Sequence, residues 1–133
     1  MITKNKIVKI IELAKKCNEC ALHHFREFDN KVLSYKDDNS PLTNADIKVN
    51  EMAVTGLQKL FPNVEIISEE LYNSKYIFKN KNYFWLIDPI DGTKEFINKS
   101  PNFTVNFALI KHNSPIFGLI AQPTTGTIWY NFN

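Results

Sequence analysis

The sequence has little arginine and little cysteine, and it has no block of basic charge. Its 133 residues include 15 lysines but a single arginine, and the formal net charge is only +2. One arginine provides no set of guanidinium groups to clamp phosphates bidentately. Basic and acidic residues alternate along the chain instead of forming the basic patch of a nucleic-acid-binding surface. We therefore expect no nucleic acid polymer among its partners.

The two cysteines could serve a metal site or a hydrophobic core. Cys17 and Cys20 lie three residues apart in the first amphipathic stretch, and with His24 they would share one helix face. No second Cys-x-x-Cys is present, however, and a structural zinc site needs four ligands. We expect both cysteines to be reduced, to pack in the core and to form no disulfide.

The chain also lacks a long hydrophobic run. No apolar segment approaches transmembrane length, and the first residues carry a lysine every few positions in place of the apolar core of a signal peptide. We expect a soluble cytoplasmic protein, with peripheral contact at the inner membrane face as the alternative. Hydrophobic residues make up 44% of the chain, which is enough for a core, and the length fits a single domain over residues 1–133.

Hydrophobic periodicity predicts helices first and strands afterwards. Residues 4–28 indicate a long amphipathic helix, 36–42 a polar loop, and a second helix runs from about Asp46 to Phe61 before Pro62. Strands are expected at 64–68, 83–87, 103–111, 116–122 and 127–132, with turns at 112–115 and 123–126. This order predicts an α+β fold, with helices packed on one face of a largely antiparallel sheet.

The most informative segment is residues 83–94, Tyr-Phe-Trp-Leu-Ile-Asp-Pro-Ile-Asp-Gly-Thr-Lys. Pro89 cannot continue a sheet ladder, so we expect the chain to turn there. Asp88 and Asp91 could then converge on one point together with the carbonyl of Ile90. Oxygen ligands without imidazole or thiolate select a hard cation such as Mg²⁺. Asp-Pro and Asp-Gly are also ordinary turn formers.

The residues after this acidic pair are suited to bind an anion. Gly92 permits close approach of the backbone, and the polar segment that follows can begin a helix whose free N–H groups point at a phosphate. Two further acidic sites lie elsewhere: Glu69 and Glu70 follow a predicted strand, and Asp46 begins the second helix. Each has an ordinary explanation, as a solvated rim or as a helix-capping acid.

Together the three acidic sites suggest metal-dependent phosphoryl transfer. Haloacid dehalogenase-like phosphatases use an aspartyl nucleophile and separate their two aspartates by one residue. Here Pro89 and Ile90 both intervene, which changes the side that each acid faces. A water nucleophile is therefore favoured over a covalent aspartyl phosphate.

Three motifs resemble those of a known family in order and separation. They are Ser-Pro-Leu-Thr-Asn-Ala-Asp (40–46), Ser-Glu-Glu (68–70) and Asp-Pro-Ile-Asp-Gly-Thr-Lys-Glu-Phe-Ile (88–97). They are similar to the motifs of the lithium-sensitive inositol monophosphatase superfamily of Mg²⁺-dependent phosphatases. Lys-Glu-Phe-Ile and the segment 102–110 resemble its CysQ-type branch, the 3'(2'),5'-bisphosphate nucleotidases. The resemblance implies the N-terminal part of a layered αβαβα sugar-phosphatase fold.

The resemblance also implies roles for single residues. Glu69, Asp88 and Asp91 are expected to bind Mg²⁺ through carboxylates and Ile90 through its carbonyl, with Lys36 nearby. Asp46 and Thr93 are expected to be catalytic, orienting and deprotonating the metal-activated water. The residues expected to bind substrate are Glu69, Ile90, Asp91, Gly92 and Thr93.

The substrate follows from the same resemblance. The expected reaction converts adenosine 3',5'-bisphosphate to AMP and phosphate, or acts on the related sulfated nucleotide of sulfate assimilation. An inositol or sugar phosphate is the alternative substrate.

The family's members are roughly twice as long and place a further metal-ligand aspartate, in a Trp-Asp motif, in their second half. No aspartate follows Asp91 in this chain, and Glu95 is the only later acid. The alternatives to a complete enzyme are therefore one half of a split enzyme and a non-catalytic remnant. The hydrophobic face around Phe107 to Ile120 would be exposed, or covered by a homodimer or a complementary C-terminal fragment.

Overall fold

The computed structural model describes residues 2–70, 79–80 and 82–132. The elements in chain order are α1 (Lys4–Arg26), β1 (Ser34–Tyr35), β2 (Pro41–Leu42), α2 (Asn44–Leu60), β3 (Glu65–Ser68), β4 (Tyr83–Asp91), α3 (Thr93–Ile97), β5 (Thr104–Lys111), β6 (Ser114–Gln122) and β7 (Thr127–Phe132). The sheet order is β3-β4-β5-β6-β7, in which only the β3–β4 pair is parallel. The α+β prediction is confirmed.

Both long helices begin at threonine caps. The Lys6 amide donates to Oγ1 of Thr3 at the start of α1, which satisfies one of the free N–H groups of the first turn. Thr43 caps α2, which begins two residues earlier than predicted. Gly56 of α2 lets the two helices approach closely, because a Cβ there would lie 2.4 Å from a Leu13 methyl carbon.

Successive side chains of each strand point to opposite sides, so the sheet has an inner and an outer face. The inner face packs beneath α1 and α2 and carries the largest fully buried side chains of the strands, among them Trp85, Phe107 and Phe117. The outer face carries Leu86, Ala108, Gly118, Ile120 and Trp129, which the strand register brings into neighbouring positions. The prediction for the exposed face holds at Ile120 and is wrong at Phe107, which lies on the inner face with only 2% of its surface exposed.

The predicted turn at Pro89 is wrong. Strand β4 continues through Pro89 to Asp91, with a register shift against β5 between Asp88 and Asp91. A β-bulge leaves residues of one strand unpaired, so a proline without an N–H is accommodated there. The chain leaves the sheet at Gly92, which has a φ of +90° and is the N-cap residue of α3.

The hairpin turns follow the predictions with one change. Residues 123–126 connect β6 to β7 as expected, whereas Ser114 and Pro115 belong to strand β6 and not to the preceding turn. The turn itself is His112 and Asn113, whose φ angles of +48° and +64° fit a two-residue hairpin of the primed type. The predicted loop at 36–42 forms the turn and the second strand of a short β1–β2 hairpin, whose first strand lies just before it.

The cysteines follow the core prediction. Both are free; Cys17 is fully buried in the core, and Cys20 is partly buried and packs against it. Burial, followed by the neighbouring Cys20, raises the pKa of the Cys17 thiol to about 12, so this thiol is protonated and unreactive in the folded chain. In the described part of the chain, no helix is long and apolar enough to cross a bilayer.

Candidate active site

The parallel pair β3–β4 brings two acidic segments to the same edge of the sheet. Ser68 and Ile87 are partners at the end of this ladder. The Glu69 amide continues the pairing by donating to the Ile87 carbonyl oxygen at 3.0 Å. Because parallel strands end at the same edge, Glu69 lies beside Asp88.

Asp88 lies close to the carboxylates of Glu69 and Asp91. Burial, a hydrogen bond with Glu69, and the charges of Glu69 and Asp91 raise its pKa to about 8, and the charge of Lys36 opposes this. The Asp88 Oδ1 atom is buried and has no hydrogen-bond partner among the residues that the structure describes. A buried carboxylate oxygen of this kind is stabilised when it is protonated or when it binds a cation.

Asp91 lies on the far side of the bulge and is exposed. Its Oδ2 atom accepts a hydrogen bond from the Asn106 amide nitrogen at 3.1 Å. Asn106 was not among the predicted site residues. Its signal in the sequence is a polar residue within the apolar strand Thr-Val-Asn-Phe-Ala-Leu-Ile, which becomes informative only when the register places it opposite Asp88.

Lys36 connects the β1–β2 hairpin to these acids. Its Nζ atom donates to Glu70 Oε1 at 2.8 Å and to Glu69 Oε1 at 3.5 Å. Burial alone would lower the Lys36 pKa, but the hydrogen bond to Glu70 and the charges of the surrounding acids outweigh it, so the pKa is raised. The Lys36 ammonium group therefore stays charged beside Glu69.

Glu70 is the buried member of this ion pair. Only 6% of its side chain is exposed, against 46% for Glu69. Burial is the largest influence on the Glu70 pKa and raises it, Lys36 opposes this, and with the charges of Asp46 and Glu69 the pKa is raised. Desolvation therefore offsets part of the attraction within the pair. Sequence reasoning named Glu70 without a role, and the structure identifies it as the group that holds Lys36.

Asp46 is fully buried at the start of α2 and uses both carboxylate oxygens. Its Oδ2 atom accepts from the Thr43 amide at 2.8 Å and from the Thr43 hydroxyl at 2.6 Å. Its Oδ1 atom accepts from the Thr93 hydroxyl at 3.0 Å. The capping explanation is correct, and the same carboxylate also accepts a hydrogen bond from Thr93 at the start of α3.

Gly92 and Thr93 join the bulge to α3. A Cβ at Gly92 would lie 3.1 Å from the Asn102 carbonyl oxygen and 3.1 Å from a Glu95 carboxylate oxygen. Thr93 Oγ1 also lies 3.3 Å from the Ile90 carbonyl oxygen. The Asp91–Thr93 turn is therefore held tightly between the sheet and the loop before β5.

The atoms offered by the predicted ligands are of the kind that binds a hard cation. The predicted ligands offer carboxylate and carbonyl oxygens only, and one of these oxygens, Asp88 Oδ1, is buried with no partner in the described part of the chain. Within the described ranges, no three acidic, histidine or cysteine side chains already stand close enough to enclose an ion. The structure brings Glu69, Asp88 and Asp91 within electrostatic reach of one another, and their roles as ligands stay a prediction.

Solved structures first define the class of fold. An extragenic suppressor protein, SuhB, from Bartonella henselae superposes with a TM-score of 0.83 at 23% identity, over 96% of this chain and 48% of that one. CysQ from Bacteroides thetaiotaomicron, described as a bacterial member of the inositol monophosphatase family, superposes with a TM-score of 0.78 at 32% identity, over 97% of this chain and 46% of that one. The fold is that of the layered inositol monophosphatases.

The family model for the inositol monophosphatase family matches residues 4–133, and the chain belongs to this family. The 3'(2'),5'-bisphosphate nucleotidase CysQ of Buchnera aphidicola is 39% identical over 133 residues, which is 98% of this chain and 49% of the relative. CysQ of Escherichia coli K12 is 35% identical over 121 residues. The chain spans about half the length of the curated relatives that it matches.

Proposed function

We propose that this chain forms the acidic half of a Mg²⁺-dependent phosphatase that hydrolyses a 3',5'-bisphosphorylated nucleotide such as adenosine 3',5'-bisphosphate. The observation that carries the proposal is the placement of Glu69, Asp88 and Asp91 around one edge of the sheet, with Asp46 and Thr93 paired beside them. The similarity to CysQ nucleotidases supports the substrate class.

Glu69, Asp88, Asp91 and the Ile90 carbonyl are the groups that would hold Mg²⁺. When bound, the cation supplies Lewis-acid chemistry, in which it withdraws charge from phosphoryl oxygens and lowers the pKa of water. Lys36 remains charged at the same edge and adds positive potential for a phosphate. Gly92 and Thr93 would bind the phosphate through the backbone at the start of α3.

The pair Asp46 and Thr93 would handle the proton of the attacking water. The Thr93 hydroxyl donates its own hydrogen to Asp46 Oδ1, so the lone pairs of Oγ1 remain to accept a hydrogen bond from water. Burial and two bonds from Thr43 fix the Asp46 carboxylate, which keeps the threonine oriented. This orientation places the water without a histidine base.

Phosphate release by the purified chain tests the proposal. With Mg²⁺ and adenosine 3',5'-bisphosphate, we expect phosphate release that lithium suppresses, either from the chain alone or after co-expression with the second half of a CysQ relative. Inositol monophosphate and fructose 1,6-bisphosphate, assayed side by side, test the alternative sugar-phosphatase activity. Mg²⁺ binding without turnover in every combination would instead support a non-catalytic remnant.

Two substitutions separate metal binding from catalysis. Asp91→Asn is expected to abolish both Mg²⁺ binding, measured by calorimetry, and hydrolysis, whereas Thr93→Ala keeps Mg²⁺ binding and lowers the rate roughly 100-fold or more. The matched control is Asp37→Asn, which removes the same charge from an exposed residue of the nearby loop. If Asp91→Asn and Asp37→Asn behaved alike, the site assignment would be wrong.

We further expect a small phosphorylated molecule as the ligand and no nucleic acid polymer. A cytoplasmic location fits the two free cysteines.

A further inference from the structure

A buried polar pair connects helix α2 to the end of strand β3. The hydroxyl of Ser68, the last residue of β3, donates to Oδ1 of Asn50 in α2. Ser68 is 0% exposed and Asn50 is 6% exposed. A buried hydrogen bond of this kind adds little net stability, because an apolar pair of the same shape can be equally stable in a core. Packing alone therefore does not account for two polar residues at this contact.

The Ser68 hydroxyl also contacts the segment that carries the acids. Its oxygen accepts a hydrogen bond from the backbone amide of Glu70 at 3.4 Å, and Glu69 lies between the two residues. The side chains of Glu69 and Glu70 in turn bind Lys36, at 3.5 Å and 2.8 Å. One hydroxyl therefore links Asn50 of α2 to the backbone of both glutamates.

Helix α2 makes a second contact with the acidic site, one turn earlier. Asp46 and Asn50 are four residues apart, so they lie on the same face of the helix. Asp46 accepts from the Thr93 hydroxyl at 3.0 Å, and it lies within electrostatic reach of Lys36 and Glu70. The same face of α2 thus holds the start of α3 through Asp46 and the end of β3 through Asn50.

We propose that Asn50 is a positioning residue for the segment 69–70, which it holds in place through the Ser68 hydroxyl. The inference rests on the proposed function in one respect, because Glu69 is a predicted Mg²⁺ ligand of that site. Residues that orient ligands from behind typically change metal affinity by about 10- to 100-fold when they are removed. Asn50 touches neither metal nor substrate in this role and acts only on the geometry of the glutamates.

A purely structural role for Asn50 leads to a different expectation. The bond to Ser68 would then stabilise the fold as a whole, and the contact between Lys36 and Glu70 would keep its strength in every variant that still folds. The strength of that contact therefore distinguishes positioning from general stabilisation.

A double-mutant cycle in urea measures this strength. Lys36→Met, Glu70→Gln and both together are compared in the unchanged chain and in Asn50→Leu/Ser68→Ala, which removes the donor and the acceptor together so that neither is left unpaired. We expect the coupling free energy between Lys36 and Glu70 to fall by about half or more, because a general loss of stability cancels within each cycle. Asn18→Leu is the matched control, since Asn18 is also 6% exposed but lies in α1, and it should leave the coupling unchanged.

Titration with Mg²⁺ in a calorimeter gives a second readout. We expect Asn50→Leu/Ser68→Ala to raise the Mg²⁺ dissociation constant about tenfold or more and Asn18→Leu to leave it unchanged. Failure of the unchanged chain to bind Mg²⁺ would count against the proposed function alone. The urea cycle contains no metal, so it would still decide the role of Asn50.

Two results would overturn the inference. One is a coupling between Lys36 and Glu70 that is as strong in Asn50→Leu/Ser68→Ala as in the unchanged chain, and the other is an equal weakening in Asn18→Leu. Where the double variant fails to fold, Ser68→Ala replaces it, because it breaks the same bond by removing a single oxygen atom. An unchanged coupling in Ser68→Ala would refute the inference as well.

Discussion

At the residue scale, one side chain can have several roles that the sequence alone does not distinguish. The position of Asp46 in the sequence fits a capping acid, and the family resemblance implies a catalytic one; in the structure its carboxylate caps α2 and accepts a hydrogen bond from Thr93. Asp88 was predicted as a ligand for its chemistry. Its raised pKa arises because the fold buries it and then brings Glu69 and Asp91 close to it.

The raised pKa of Asp88 predicts a pH-dependent stability for the metal-free chain. The folded chain keeps this proton up to about pH 8, whereas the unfolded chain loses it near pH 4. Between these values the folded state binds more protons, so the free energy of unfolding falls as pH rises. The slope is at most about 1.4 kcal/mol per pH unit, and solvent screening reduces it.

Urea unfolding at pH 5, 6.5 and 8 without Mg²⁺ measures this slope. Asp88→Asn should flatten it, whereas Asp37→Asn, in the exposed loop, should leave it unchanged. Glu70, whose pKa is also raised, leaves part of the slope in place, so a slope as steep in Asp88→Asn as in the unchanged chain would contradict the assignment of the proton to Asp88. Added Mg²⁺ is expected to stabilise the chain more at pH 8 than at pH 5, because the cation competes with the proton.

At the element scale, periodicity located the long helices and most strand segments, and the local chain reversals were harder to predict. Pro89 looked like the end of a strand, yet a bulge carries β4 on to Asp91. A bulge depends on the partner strand, because the unpaired residues are defined only by the β5 register. The short β1–β2 hairpin was missed for a similar reason, since two-residue strands have no periodicity to detect.

Two glycines with positive φ angles give a matched test of the turn after the bulge. Gly92 has φ +90° and close neighbours on the Cβ side, whereas Gly126 has φ +70° and nothing within 4 Å. Gly126→Ala should cost about 1 kcal/mol for backbone strain alone. Gly92→Ala should cost about 1 to 2 kcal/mol more, because Asn102 must also move. Equal losses in urea unfolding would show that the turn after β4 is loosely held.

The ion pair between Lys36 and Glu70 connects the β1–β2 hairpin to the end of β3. We expect Lys36→Met to cost about 1 to 3 kcal/mol, because it leaves a buried carboxylate without its cation. Glu70→Gln should cost less, because it also removes the charge whose burial is unfavourable.

A double-mutant cycle in urea measures the coupling between Lys36 and Glu70. Lys48→Met serves as the control, since Lys48 and Glu51 form an exposed pair in α2 whose loss should change stability by less than about 1 kcal/mol. If Glu70→Gln cost more than Lys36→Met, attraction and not desolvation would dominate the pair.

At the scale of the whole molecule, one core unites the two long helices with the inner face of the sheet. Buried residues of α1, α2 and β4 to β6 form a single cluster. Although the chain spans only about half of its relatives, this cluster predicts that it unfolds as one cooperative unit.

Core substitutions at opposite sides of the cluster test this cooperativity. Ile10→Ala in α1 and Phe117→Ala in β6 each remove a fully buried side chain and should lower the free energy of unfolding by about 2 to 5 kcal/mol. Tryptophan fluorescence and far-ultraviolet circular dichroism should report the same transition in both variants. Separate transitions would mean that the sheet and the helices fold independently.

The sequence by itself determined the fold class, the approximate places of the helices and strands, and the membership in the inositol monophosphatase family. These follow from hydrophobic spacing and from short motifs, which are local properties of the chain. The tertiary structure decided which acids meet, which face of the sheet is covered and which stays open. Those outcomes depend on strand register and parallel pairing, because contacts between β3, β4 and β5 join residues that are far apart in the sequence.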